Sequence, residues 1–135
     1  MKSKFFVRIS FSNTKHLLCK AKINGKVAIL LIDTGASNSC IHSELEEYFE
    51  LQTKGDPFDA AGASEGKMEA VMTSECKIQL GRSFRGKQAF VLLDLNHVNM
   101  TLDSQGAKKI DGIIGSDFLK KNKAIIDYSQ QKLFL

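Results

Sequence analysis

Hydrophobic and polar residues alternate along most of the chain. Phe5, Val7, Ile9 and Phe11 recur at every second position, and so do Leu17, Cys19, Ala21 and Ile23. That is the period of a half-buried strand. Asn24-Gly25 comes next, a dipeptide that accepts the positive φ angles of a two-residue hairpin. The return run, Lys26–Ile32, is apolar from Val27 to its end and delivers Asp33 there. A further amphipathic run covers positions 68–80, stops at Gly81, and is answered by positions 88–95. Positions 124–128 and 132–135 form a last hairpin across Ser129-Gln130-Gln131. Two short helices interrupt the pattern. Ser43-Glu44-Leu45-Glu46 has capping-box spacing, with Leu45, Tyr48 and Phe49 on one apolar face. Ser116 or Asp117 caps the second, which runs through Lys121 and carries positive charge at its C-terminal end. The expected fold is all-β: a closed β-barrel with one or two short helices.

No repeat, linker or low-complexity segment divides the 135 residues, so residues 1–135 read as one domain. With 43% apolar residues and nine Phe, the chain can bury a real core. No stretch approaches the roughly 18 apolar residues of a membrane span, and Arg8 interrupts the apolar N-terminal run, which makes a poor signal peptide. No membrane partner is expected, and the chain is placed in the cytoplasm. Cys19, Cys40 and Cys76 cannot all pair with one another and match no metal-site spacing; they read as reduced, packed thiols. The net charge of +4 and pI near 9.0 raise the question of nucleic acid. The charges are spread, however, with 8 basic and 7 acidic residues before position 61 and 11 and 8 after it. Lys108-Lys109 and Lys120-Lys121 read as solvated faces, and no nucleic-acid partner is expected.

The chemistry concentrates at Leu30-Leu31-Ile32-Asp33-Thr34-Gly35-Ala36-Ser37, where an acid and a glycine turn follow an apolar strand. An Asp at the end of a buried strand is costly to desolvate unless donors satisfy it. The Thr34 hydroxyl and the amides beyond it are suitable donors, and Gly35 lets them approach without a side chain in the way. Hydrolysing a peptide bond with carboxylates takes two of them, one ionised to accept a proton from water and one protonated to polarise the carbonyl. Set about 3 Å apart, they share one proton and divide the roles. The chain has a single Asp-Thr-Gly.

Asp33-Thr34-Gly35-Ala36 closely resembles the signature of retropepsin-like aspartic proteases, the retroviral type that works as a dimer. Ile110-Asp111-Gly112-Ile113-Ile114-Gly115-Ser116-Asp117-Phe118-Leu119 resembles that family's second motif, two apolar residues and a Gly leading into a short helix. The resemblance implies an acid-protease-like half-domain that forms a homodimer, with Asp33 of each subunit meeting on the two-fold axis. It makes the chain an aspartic endopeptidase acting on a peptide or protein substrate, without a cofactor. It further implies that Thr34 bonds across the axis, that Gly35 supplies an amide to the carboxylates, and that Ala36, lacking a hydroxyl, leaves the pair with a raised pKa. Ile113, Ile114 and Gly115 would pack behind Asp33 and shape the substrate cleft. Residues 60–67, with Ala61-Gly62-Ala63-Ser64-Glu65-Gly66 at their centre, occupy the position of the flap. Asp111 would support the same half-site without supplying the second carboxylate.

One departure from the family stands out. Retroviral enzymes commonly brace the active site with an Asp after Asp-Thr-Gly-Ala and an Arg after the second-motif Gly; here both are serine, Ser37 and Ser116. The dimer contacts are therefore expected to differ, with the strands at 5–11 and 132–135 as candidates for an intersubunit sheet. A rival reading keeps the fold and drops the chemistry: a catalytically inactive dimeric module that binds peptides or proteins. An actin-like phosphate loop also reads strand-Asp-small-Thr, but 135 residues without long helices cannot build its two lobes. His16, His42 and His97 show no ligand spacing, so no metal is expected. Asp56, Asp59, Asp94, Asp103 and Asp127 read as turn or surface residues, and Cys40 as a structural thiol.

Overall fold

A computed structural model describes residues 5–60 and 68–135. The strands in chain order are β1 (Phe6–Phe11), β2 (Leu17–Ile23), β3 (Lys26–Ile32), β4 (Cys40–His42), β5 (Thr53–Ala60) and β6 (Met68–Thr73). They continue with β7 (Cys76–Leu80), β8 (Phe84–Gln88), β9 (Val91–Leu93), β10 (Gly112–Ile114), β11 (Ile125–Asp127) and β12 (Lys132–Phe134). Helix α1 (Asn96–Ser104) precedes β10 and helix α2 (Ser116–Lys121) follows it. No helix among the described residues is long and apolar enough to cross a membrane.

The β2–β3 hairpin forms at the expected turn, with Asn24 at φ +49° and Gly25 at φ +85°. The Asn24 side chain also donates to the Phe49 carbonyl at 2.8 Å and accepts from the Lys77 amide at 3.1 Å, tying the hairpin to two other segments. Its strands pair over their full length, from Leu17↔Ile32 to Ile23↔Lys26. β3 then pairs in parallel with β10: Gly112↔Leu30, Ile113↔Leu31, Ile114↔Ile32. A strand with helices and sheet on both sides reads as a continuous apolar run, and β3 fits that pattern. Leu30 and Ile32 enter the main core with Ile41, Phe90, Ile114 and Phe118. Leu31 faces a second cluster with Cys40, Val91, Leu95, Leu102 and Ile110.

The sheet is open, which corrects the closed barrel expected from the pattern. The strand order is β11-β12-β1-β2-β3-β10-β4-β9-β6-β5, and the β7–β8 hairpin branches from β2. The branch has a simple cause. Opposite β3, the other edge of β2 is shared, with Leu17 to Cys19 pairing β1 and Ala21 to Ile23 pairing β7. The two partners diverge from there, and neither path returns to its start. Strands β1 and β12, the candidates for an intersubunit sheet, pair with each other inside one chain, Phe6↔Phe134 to Arg8↔Lys132.

Three other expectations shift. The run at 68–80 is two strands, β6 and β7, and β8 answers β7 through Leu80↔Phe84. Positions 88–95 hold the last residue of β8 and the short β9 and lead into α1, which has no counterpart in the expected elements. Ser43–Leu45 is a 3-10 turn with no side-chain cap, so the capping box does not form. Leu45 and Phe49 of its apolar face pack on the main core, while Tyr48 is exposed against Phe49 and the Lys26 ammonium. Helix α2 spans the expected residues and ends on Lys120 and Lys121, but its N-cap is Gly115 and neither Ser116 nor Asp117 takes that position.

Gly112 shows how tightly β10 is held. A Cβ there would run into the Cys40 carbonyl oxygen and approach Ile41 Cδ1 to 2.7 Å. Gly112→Ala is therefore expected to destabilise the fold by about 1–3 kcal/mol, read as a lower urea midpoint at unchanged m-value. An unchanged midpoint would mean that β4 and β10 are not packed this closely.

Candidate active site

Asp33 is the first residue past β3, half-buried at the mouth of a loop whose neighbours Thr34 and Gly35 are exposed. Its amide continues the parallel ladder, donating to the Ile114 carbonyl at 2.9 Å, and its own carbonyl accepts from the Ala36 amide at 3.1 Å. The Gly35 amide donates to Asp33 Oδ1 at 2.9 Å. A Cβ on Gly35 would lie 3.3 Å from that same oxygen. The carboxylate is thus aimed by backbone on one side and left open on the other. Among the described residues the Thr34 hydroxyl forms no hydrogen bond, leaving it available.

The far side of the loop is clamped to α2. The Ala36 carbonyl accepts from the Ser116 amide at 2.7 Å, and the Gly115 amide donates to Ser39 Oγ at 2.9 Å. A Cβ on Gly115 would meet the Ala36 carbonyl oxygen at 2.7 Å and the Asn38 carbonyl at 2.9 Å, so no larger residue fits without moving the loop. The Asp117 carboxylate gathers the rest. It accepts from the Ser39 amide at 3.0 Å, Ser39 Oγ at 2.8 Å, Gln88 Nε2 at 3.0 Å and the Phe118 amide at 2.8 Å. Ser39 and Gln88 are both buried. Neither Ser37 nor Ser116 forms a side-chain hydrogen bond among the described residues. The charged brace absent from those positions has a substitute one residue further on, in Asp117 gripping Ser39.

A hollow of about 810 Å³ opens beside Asp33 and Thr34. Its floor is apolar, with Leu17, Leu31 and Ile113 from the sheet and Val98 and Leu102 from α1. Tyr128 also lines it, 63% exposed, with its ring 5.6 Å from Phe11. Asn99 fixes α1 in place by exchanging hydrogen bonds with the backbone of Ile110, at 2.8 and 3.1 Å.

The profile of the aspartyl protease family matches residues 19–118 of this chain. The chain belongs to the aspartyl protease family. Its fold is retropepsin-like. The retroviral protease-like domain of Ddi1 from Leishmania major superposes with a TM-score of 0.63 at 19% identity, covering 87% of this chain and 86% of that one. The EIAV protease complexed with the inhibitor HBY-793 gives 0.55 at 19% identity, with 82% and 90% covered. A retropepsin-like aspartic protease from Rickettsia conorii gives 0.57 at 17% identity, with 96% and 88% covered. No curated protein sequence matches the chain.

Within this aspartyl protease fold the two motifs meet as neighbours on adjacent parallel strands. Ile113 reaches the hollow, whereas Ile114 is fully buried in the main core and serves Asp33 through its carbonyl. Gly115 lies behind the loop. Asp111 belongs to the ladder: its Oδ2 accepts from the Ile29 amide at 2.8 Å and its amide donates to the Ile29 carbonyl at 2.8 Å. The flap positions Ala61, Gly62, Ala63, Ser64, Glu65 and Gly66 lie outside the described residues. Asp94 accepts from the Asn96 amide at the start of α1, and Asp127 holds the last turn through Ser129 and Gln130. The Ser129 hydroxyl, followed by the Gln130 amide and side chain, holds the Asp127 carboxyl down at about 2. Three residues escaped the sequence reading. Ser39 and Gln88 look like ordinary strand polars, and Asp117 reads as a helix cap.

Among the described residues, no group of three or more His, Cys, Asp or Glu is placed to hold a metal ion. Burial pushes the Cys19 and Cys40 thiols up to about 12 and Cys76 up to about 11. Cys40 also feels Asp117 and Asp33, both of which raise it. A thiolate is the reactive form, so the folded protein is expected to react slowly with Ellman's reagent near neutral pH and release three equivalents on denaturation. Rapid labelling of Cys40 in the native state would contradict its burial. Asp117→Ala is expected to destabilise the fold by about 2–4 kcal/mol, because it leaves the buried Ser39 amide and hydroxyl without their acceptor and Gln88 Nε2 with the Ala89 carbonyl alone. Chemical denaturation measures this, and a loss below 1 kcal/mol would show that the loop is held by other means.

Proposed function

We propose that the protein is an aspartic endopeptidase, assembled as a homodimer in which Asp33 of each subunit shares one proton with its counterpart. The observation that carries this reading is the placement of Asp33. It ends a buried strand, one oxygen takes the Gly35 amide, and its open side faces a hollow large enough for substrate side chains. The family match and the retropepsin-like fold support it. A single chain supplies one such carboxylate, and two are needed.

On this reading the ionised Asp33 takes a proton from water as the water oxygen attacks the peptide carbonyl. The protonated Asp33 of the other subunit gives its proton to the carbonyl oxygen. The resulting gem-diol collapses: a diol proton returns to a carboxylate, the other carboxyl protonates the leaving nitrogen, and the C–N bond breaks. Thr34, with its hydroxyl unengaged, bonds across the two-fold axis. Gly35 and Ala36 keep the approach to the carboxylates open. Ile113 lines the cleft, while Ile114 and Gly115 hold the loop from behind. Residues 61–66, within the connection between the paired ends of β5 and β6 at Ala60 and Met68, act as the flap. The homodimer and its peptide substrate are the only partners this mechanism requires.

Asp33→Asn replaces the ionisable group with a near-isostere. It is expected to lower turnover by at least about a thousandfold while leaving folding, dimerisation and peptide affinity intact. Wild-type specific activity should fall on dilution through the dimer dissociation constant. Cleavage retained by Asp33→Asn would remove Asp33 from the catalytic role. A wild type that binds peptide and never cuts would establish the inactive binding module instead.

A further inference from the structure

The hollow beside Asp33 has an apolar floor and a basic rim. Lys15, His16 and His97 line it, and among the described lining residues Asp33 is the only acid. These three side chains come from two separate elements. Lys15 and His16 sit on the tight turn between β1 and β2, whereas His97 lies in the first turn of α1. Their convergence is a property of the fold and cannot be read from any one segment.

The turn holds Lys15 and His16 in a fixed conformation. Lys15 holds φ at +65°, a region that side chains other than Gly, Asn and Asp seldom occupy. The conformation is enforced by the Lys15 amide donating to the Ser12 carbonyl at 2.8 Å and the Ser12 amide donating to the His16 carbonyl at 2.9 Å. A relay of side chains then orients the imidazole. Ser12 Oγ lies 2.6 Å from Thr14 Oγ1, which lies 2.6 Å from His16 Nδ1. With Nδ1 engaged, Nε2 is the nitrogen left to a ligand.

We propose that this hollow selects peptides in which an apolar residue near the scissile bond is accompanied, within two residues, by aspartate or glutamate, whose carboxylate is read by Lys15, His16 and His97. The inference rests on the protease reading above and adds to it the class of substrate. In an extended peptide, side chains two residues apart project to the same side, about 7 Å from one another. One can therefore enter the apolar floor while the other reaches the rim. The basic rim also offsets the repulsion that an acidic peptide would meet from Asp33. Arginine or lysine at the same place would face the Lys15 ammonium.

A library of randomised decapeptides tests this in two arms. In the first, wild-type protein cuts the library and the products are sequenced by mass spectrometry. In the second, Asp33→Asn protein is immobilised and the retained peptides are sequenced. An exposed ion pair or like-charge contact contributes about two- to fivefold, so a Lys15 ammonium that attracts a carboxylate and repels a cation gives an enrichment of acidic over basic residues of about tenfold. Lys15→Glu should reverse the preference, and the double variant His16→Gln/His97→Gln should reduce it severalfold. Each is read as a ratio within one library, so a change in total activity cancels. Cleavage with no acidic enrichment overturns the inference and leaves the protease reading standing. Acidic enrichment among retained peptides without cleavage overturns the protease reading and keeps the selectivity. Failure to cut or retain any peptide overturns both.

Discussion

The parallel pairing of β3 with β10 is the constraint on which the rest of the structure depends. It places Leu30, Leu31 and Ile32 opposite Gly112, Ile113 and Ile114, and the next bond in the ladder runs from the Asp33 amide to the Ile114 carbonyl. The acid is therefore positioned by the main chain, at a point where the buried strand stops and the loop begins. Parallel strands need a crossover between them. Here that crossover comprises everything from β4 to α1, so most of the domain is wrapped around one short ladder. Gly112 permits β4 to lie against the other side of β10, and Gly115 permits the loop to fold back over the start of α2.

A catalytic-type carboxylate also has to be rigid without being neutralised. A positive partner for Asp33 would hold it in place but suppress its basicity. The structure avoids this by directing the strong electrostatic contacts elsewhere. Asp117 takes the hydrogen bonds that stiffen the loop, through Ser39 and Gln88, while Asp33 accepts one backbone amide and keeps its remaining lone pairs. Charge-assisted hydrogen bonds are about twice as strong as neutral ones. Using them one layer behind Asp33 gives rigidity without competing for its carboxylate.

Much of this was legible in the sequence, for identifiable reasons. The β2–β3 hairpin was visible because period-2 alternation and Asn24-Gly25 agree at one turn, and tertiary contacts reinforce that turn instead of overriding it. The position of Asp33 and the motif at 110–119 were visible because glycine at each close approach is unavoidable. Helix α1 was hidden because Leu95 continues the apolar run of β9, although Leu95, Val98 and Leu102 follow helical spacing and Asp94 supplies its capping contact. Strand β5 was hidden by its composition, since TKGDPFDA is nearly all exposed and carries the single proline. The branching at β2 was out of reach for a different reason. Local patterning says that a strand has two edges, and only tertiary pairing decides that one edge is divided between β1 and β7.

The position of the bracing residue bears on how the two halves of the proposed site come together. A brace between Ser37 and Ser116 positions would be sensitive to the arrangement of the subunits near the axis. The Asp117–Ser39 clamp lies behind the loop, joining the buried Ser39 before β4 to the half-buried Asp117 of α2 in one chain. The turn at Asp33 is accordingly held within a single subunit. Strands β1 and β12 are likewise closed on each other within one chain. On the proposed mechanism, association then has to bring two finished half-sites face to face and need not order them first. The conformational entropy of the loop is settled during folding, so the affinity of the dimer depends on its interface alone. That separation lets a weakly associating chain carry a well-formed site, with its activity governed by concentration.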